Sequence, residues 1–255
     1  MNGFSAFVRK ETIEIVRTWR IWVLPGMLLV FAITGPLTAK FTPQIIGAMA
    51  GDQLAGLLKG MPAPTYLDSY AQWTKNLTQI VLFAIIIIYG GLISAERKSG
   101  TAILVLTKPV SRTAFVVAKA TVHAAFLTLT VTFGTLVTWG MTAVAFESAP
   151  GAALWSASIA WLALGLFFLG IMTLLSTVLE SQAGAAGIGL GAFALMSIAG
   201  LWEPLGTYSP AALAGMSAML AAGKEPAILW PIVTSLTLAA ALVLAAGLVF
   251  RTKEL

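Results

Sequence analysis

The sequence predicts an all-α membrane protein with six transmembrane helices, and three observations carry that prediction. Apolar residues make up 58% of the chain and charged residues 10%, whereas a soluble domain carries roughly a quarter charged. Six apolar stretches are long enough to cross a hydrocarbon core of about 30 Å. The charges collect between those stretches. Of the 25 charged residues (15 basic plus 10 acidic), Glu96, Arg97, Lys98, Lys108, Arg112 and Lys119 share one island, 95–119, between two long apolar runs. The chain therefore reads as one helical membrane domain, 1–255, with no separate soluble catalytic domain. It has no cysteine, which excludes disulfides, thiolate metal sites and a cysteine nucleophile.

Taken in order, residues 1–20 predict an amphipathic helix at the membrane surface. Phe4, Phe7, Val8, Ile15, Val16 and Trp19 cluster on one side at helical spacing. Arg9, Lys10, Glu14, Arg17 and Arg20 fall mostly on the other, and Glu11 and Ile13 break the pattern. A cleaved signal peptide would not carry so long a charged region with two acids in it. Span one covers about 21–39, with Pro25, Gly35 and Pro36 as expected kinks. Residues 40–75 read as a short amphipathic helix, a proline-rich turn and a polar lead into span two, about 77–94.

The island follows, over 95–112. Its middle, AILVLTKPV, is too short to span and is stopped by Pro109, so it predicts a short helix lying at the membrane face. Gly100 precedes it, and Ser111 is the expected N-cap of a helix that starts at Arg112 and continues into span three, about 120–145. Span four is about 154–179 and span five about 185–202. A second polar excursion, 203–227, predicts a helix capped by Ser209 with Pro210 in its first position, before span six at about 228–250.

Basic residues are retained on the cytoplasmic side of a membrane. With a cytoplasmic N-terminus, that side carries Arg9, Lys10, Arg17, Arg20, Arg97, Lys98, Lys108, Arg112, Lys119, Arg251 and Lys253, and the other side only Lys40, Lys59, Lys75 and Lys224. Both termini and the island are therefore expected in the cytoplasm. The net charge of +5 could suggest anionic partners, but in a membrane protein the placement of the positive charges says more than their sum, and no nucleic-acid partner is expected.

Chemistry is sparse. The chain has no GxxxxGK[ST] loop, no HExxH and no GxSxG. The one histidine, His123, reads either as a proton-relay or metal residue or as a packed histidine bonded to a neighbouring backbone or hydroxyl group. With no carboxylate on its own helix face, the second reading is preferred. No Asp, Glu, Lys or Arg lies within the spans away from their ends, which argues against an ion-coupled carrier. Energy would have to come from outside the chain, and the cargo would be apolar or amphiphilic. Asn76, Gln79, Tyr89 and Ser197 are the polar groups expected to line a path. Gly187 and Gly191 make a GxxxG spacing that suits packing within the chain as well as it suits a dimer contact.

Glu96, Ser99-Gly100-Thr101, a short apolar helix, Lys108-Pro109-Val110-Ser111-Arg112 and Lys119 resemble the ABC-2 family of ATP-binding-cassette transporter permeases. Its members read E-x-x-x-G-T, then an apolar helix, then [RK]-P-V-S-R. The opening RKETIEIVRTWRIWVL is similar to that family's membrane-surface elbow helix. The chain departs at Ala102-Ile103, where many members place Leu-Glu. The resemblance implies an exporter in which two permease subunits, as a homodimer or heterodimer, pair above two ATPase subunits in a bacterial plasma membrane. ATP and Mg would be held by the ATPase subunits, and this chain would bind no cofactor or metal and have no catalytic site. It further implies that Glu96, Arg97, Gly100, Thr101, Pro109, Ser111 and Arg112 couple to the ATPase, through a helix between spans two and three, and that Arg9, Lys10, Glu14 and Arg17 belong to the elbow. The expected cargo is a drug, a lipid-linked molecule or a hydrophobic peptide. A membrane scaffold or immunity-type protein, or a lipid-modifying enzyme, remains the alternative.

Overall fold

The computed structural model describes residues 3–58, 62–100 and 111–253, whose regular elements are all helices, with no strand among the described residues. Six helical segments are long and apolar enough to cross a membrane: Ile21–Ala48, Tyr66–Lys98, Arg112–Ala145, Gly151–Val178, Gln182–Ala199 and Leu229–Thr252. These are spans one to six, as the hydropathy pattern predicts. An N-terminal helix, Gly3–Arg17, precedes them, and two short helices, Glu203–Tyr208 and Ala211–Ala221, fill the excursion before span six.

Spans two and four form the centre. Each buries 61% of its most apolar stretch inside the protein, against 17% for span five and 22% for span six, which therefore turn most of their surface outward. The central core joins Trp73, Leu82 and Ile85 of span two to Trp161 and Phe168 of span four. Span three closes onto Trp73 through Gly134, where a Cβ would lie 2.7 Å from the indole Cη2. The indole Nε1–H in turn donates to Ser158 at 3.2 Å. A buried Trp that keeps its polar partner contributes area and specificity together.

Span one differs from expectation. Instead of a kinked span followed by a separate short helix, one helix runs over Arg20–Leu58 through Pro25, Pro36 and Pro43. Its 39 residues extend about 58 Å. Each proline removes one hydrogen bond, but a full break in hydrocarbon would strand several backbone groups at once, so the helix continues. Span two also begins earlier than predicted, at Tyr66. The Thr65 N–H donates to the Asp68 carboxylate at 2.7 Å and so anchors that start. A π turn, Leu77–Val81, and a turn at 90–93 interrupt the span before the short helix Ser94–Lys98.

Other boundaries follow the sequence closely. The Ser111 hydroxyl accepts from the Ala114 N–H at 3.1 Å, and the helix it caps runs unbroken over Arg112–Ala145. The helix expected to be capped by Ser209 starts one residue later than predicted, at Ala211, with Pro210 rather than Ser209 in the N-cap position and no side-chain cap. The Ser209 hydroxyl still accepts from the Ala211 N–H at 3.2 Å, and the small helix before it, Glu203–Tyr208, was not predicted. The helix expected at the membrane face, with Thr101 and Pro109, lies outside the described residues. The GxxxG glycines do not serve packing within the chain: a Cβ at Gly187 or Gly191 would meet nothing within 4 Å. Gly189 between them is the one that packs, with Met172 Sδ at 2.6 Å from its would-be Cβ.

Candidate functional site

The N-terminal helix docks through a stripe at four-residue spacing. Phe7, Glu11 and Ile15 are all buried and lie on one face of the helix. They meet a matching stripe at the start of span three, Phe115, Lys119 and His123, also buried. At one end of the contact the Phe7 ring sits edge-on to Phe115 at 5.7 Å between centroids, and Phe115 stacks on Phe250 of span six at 5.5 Å. Those rings exclude water from the charged centre of the interface.

In that centre, Lys119 Nζ donates to Glu11 Oε1 at 2.6 Å and to Glu96 Oε1, at the end of span two, at 2.7 Å. Lys10 Nζ donates to the same Glu96 oxygen at 2.9 Å and pairs with Glu14 at 2.6 Å. His123 Nε2 lies 3.1 Å from Glu11 Oε1, and the Tyr89 ring stands edge-on to the imidazole at 5.1 Å. Three carboxylates, two ammonium groups and one imidazole thus tie the N-terminal helix to the basic ends of spans two and three. Carboxylate oxygens of Glu11, Glu14 and Glu96 approach within 4.8 Å of one another, as they would around a metal. Here the ammonium groups of Lys10 and Lys119 already supply the positive charge between them.

Burial alone would raise the Glu11 pKa, but the His123 hydrogen bond and the Lys119 charge outweigh it and hold the carboxyl at about 2, from an ordinary 4.5. Burial works against the charge of Lys10 too, yet Glu14 and Glu96 hold its ammonium above the usual lysine range. A lowered carboxyl pKa stabilises the fold fully above pH 4.5, and that stability is lost as pH falls toward 2. The raised Lys10 pKa acts in the opposite sense, with its contribution intact below 10.5 and lost only above the folded-state value. Thermal unfolding in detergent should therefore show an acid-induced loss between pH 4.5 and 2 that Glu11→Gln removes. An identical acid limb in that variant would assign the loss to other groups.

The coupling residues expected from the motif divide. Glu96 is in the cluster. Arg97 Nη1 donates to Thr177 O at 3.2 Å and its Nη2 lies 3.7 Å from Glu180 Oε1, so the side chain caps the end of span four. Arg112 Nη1 donates to the carbonyls of Arg251 at 3.3 Å and Lys253 at 2.6 Å, capping span six, and Lys253 Nζ donates to Val178 O at 3.1 Å. A cation at a helix C-terminus meets both unpaired carbonyls and the negative end of the dipole. Gly100 has φ +70° with open space where a Cβ would go, so its role is conformational. Of the elbow residues, Lys10 and Glu14 join the cluster, while Arg9 and Arg17 are exposed.

The residues expected to line a path are not brought together. Tyr89 is buried against His123, Asn76 accepts from Gln72 at 3.2 Å in the first helix of span two, and Gln79 is exposed. Ser197 is exposed on span five, where its hydroxyl bonds back to Phe193 O at 2.9 Å. Tyr89 and Asn76 stand 13 residues apart on span two, about 20 Å along a helix.

The expectation for His123 is corrected as well. It is packed, but its partner is a carboxylate, and that carboxylate comes from the N-terminal helix. Glu11 was missed because it sits on the apolar face, where it looked like a blemish. The four-residue stripe Phe115, Lys119, His123 was the signal that could have found it.

These features define an integral membrane protein of six spans, in which a surface helix is bound to the bundle by buried charge. The chain belongs to the ABC-2 family of transporter proteins, whose family model matches residues 5–230, and so is a permease-type membrane transport subunit. It is similar to the "Uncharacterized transmembrane protein YxlG" of Bacillus subtilis (strain 168), at 24% identity over 200 residues, 78% of this chain and 77% of that protein.

Proposed function

We propose that this chain is the permease subunit of an ATP-driven exporter, coupling hydrolysis in two separate ATPase subunits to outward movement of an amphiphilic cargo. A second permease subunit, identical or related, completes the transport unit. ATP and Mg are held by the ATPase partners, and the basic end faces the cytoplasm. The observation that carries this reading is the charge cluster. It binds the N-terminal helix to the helices on both sides of residues 99–111, the stretch that a docked ATPase would move. Arg97 and Arg112 extend those attachments to the ends of spans four and six.

Two measurements test it. Purification of the tagged chain from its native membrane in mild detergent should bring down an ATPase, and scrambling 96–112 should abolish that association without loss of expression. Gly100→Val should then separate hydrolysis from transport, because a side chain at φ +70° costs about 1–2 kcal/mol and redirects the chain into the coupling stretch. ATP hydrolysis is expected to persist while efflux of an amphiphilic dye from inverted vesicles falls several-fold. Unchanged efflux in both Gly100→Val and Arg112→Ala would remove this stretch from the coupling path.

A further inference from the structure

Spans three, four and six enclose a lateral groove that the coupling reading does not use. Spans three and six meet at the basic end, where Thr113 donates to Gly247 O at 3.2 Å. Spans four and six meet at Gly170, whose Cβ would lie 3.0 Å from Ala239 Cα. Between these contacts the helices part and leave a cavity of about 360 Å³, walled by Val117 and Ala124 of span three, Leu166 and Gly170 of span four, and Ala240 and Leu244 of span six.

We propose that this groove holds one acyl chain of an anionic phospholipid whose phosphate lies at the basic end. The lining fits a hydrocarbon tail. It contributes one side-chain hydroxyl, that of Thr121, which is already donated to Val117 O at 2.8 Å. The depth fits as well. Val117 to Ala124 covers about 10 Å of helix, starting about 7 Å in from Arg112, so this wall of the groove starts on the basic side and reaches about the middle of a core about 30 Å thick. The charge beyond its basic end selects the head group. Arg251 stands seven residues beyond Leu244, two turns along the same helix face. It is exposed and forms no ion pair among the described residues. The Arg112 guanidinium is held against the last turn of span six, 2.6 Å from Lys253 O. Two guanidinium groups beyond the basic end of an apolar slot suit a phosphate with a tail, because guanidinium binds phosphate in a forked geometry.

The test uses the full chain in nanodiscs of phosphatidylcholine and phosphatidylglycerol in equal parts, with a diazirine placed in the acyl chain of either lipid. Labelling by phosphatidylglycerol is expected to concentrate on 117–124 and 236–244, several-fold above phosphatidylcholine. Ala240→Trp, which fills the slot, should lower it at least five-fold while labelling at the outward-facing Leu195 is unchanged. Arg251→Gln, which leaves the slot open, should bring the two lipids to equal labelling. Labelling spread evenly over Leu195, Phe133 and the groove, insensitive to Ala240→Trp, would mean ordinary annular lipid and overturn the proposal. So would equal labelling by both lipids before any substitution, or a disulfide-linked pair formed by Ala240→Cys, which would place a second copy over the groove.

Discussion

Glu11→Ala is expected to destabilise the protein far more than Arg9→Ala or Arg17→Ala, although all three change one charge on the same short helix. The two arginines are exposed, and exposed charges contribute at most about 1 kcal/mol. Glu11 is 2% exposed and accepts from both Lys119 and His123. Its removal leaves a buried ammonium with one carboxylate fewer, and breaking a buried pair costs about 3–5 kcal/mol. The N-terminal helix should come loose first, since Phe7 and Ile15 are its other buried anchors there. The measurement is a thermal melt in detergent with limited proteolysis of residues 3–17. A Glu11→Ala melt that overlays those of the arginine variants, with equal resistance to protease, would show that the cluster contributes nothing to docking.

Lys119→Met should be as damaging, for a different reason. It preserves the volume of the side chain and the contact with Phe115, but it takes away the cation shared by Glu11 and Glu96. Their oxygens approach within 4.8 Å, a repulsion of about 3 kcal/mol at an effective dielectric of 20. Adding Glu96→Gln removes that repulsion. The double variant should therefore be more stable than Lys119→Met alone, even though Glu96→Gln by itself is destabilising. A double-mutant cycle on melting temperatures reads this coupling directly. Strictly additive losses would mean that Lys119 does not mediate between the two acids.

The six spans were legible because hydropathy reports on one helix at a time, and so was the cap at Ser111. What escaped depended on how helices face each other. Pro25, Gly35 and Pro36 looked like kinks, yet span one runs past them, and on through Pro43, because lipid leaves a helix nowhere else to place its backbone groups. Glu11 looked like an error in an apolar stripe. It becomes intelligible only once Lys119 and His123 stand opposite, more than 100 residues away in the chain. Gly187 and Gly191 carried a pairing signal that the chain itself does not use, and Gly189, with no motif to mark it, does the packing. The motif around 96–112 did not show that Arg97 and Arg112 close off the ends of other helices.

Those two arginines give the stretch between them a mechanical character. Arg97 is fastened to span four and Arg112 to span six, and Lys253 bridges the two helix ends through Val178. The arrangement is a yoke: whatever displaces residues 99–111 must pull on both helices or break charge-assisted bonds of about 1.5–3 kcal/mol each. Farther along, the same two helices touch through Gly170 and the backbone of Ala239, a crossing with no side chain on the glycine side to lock it. Force applied at the yoke thus has a fulcrum to turn about, and the far ends of spans four and six are the arms that would swing.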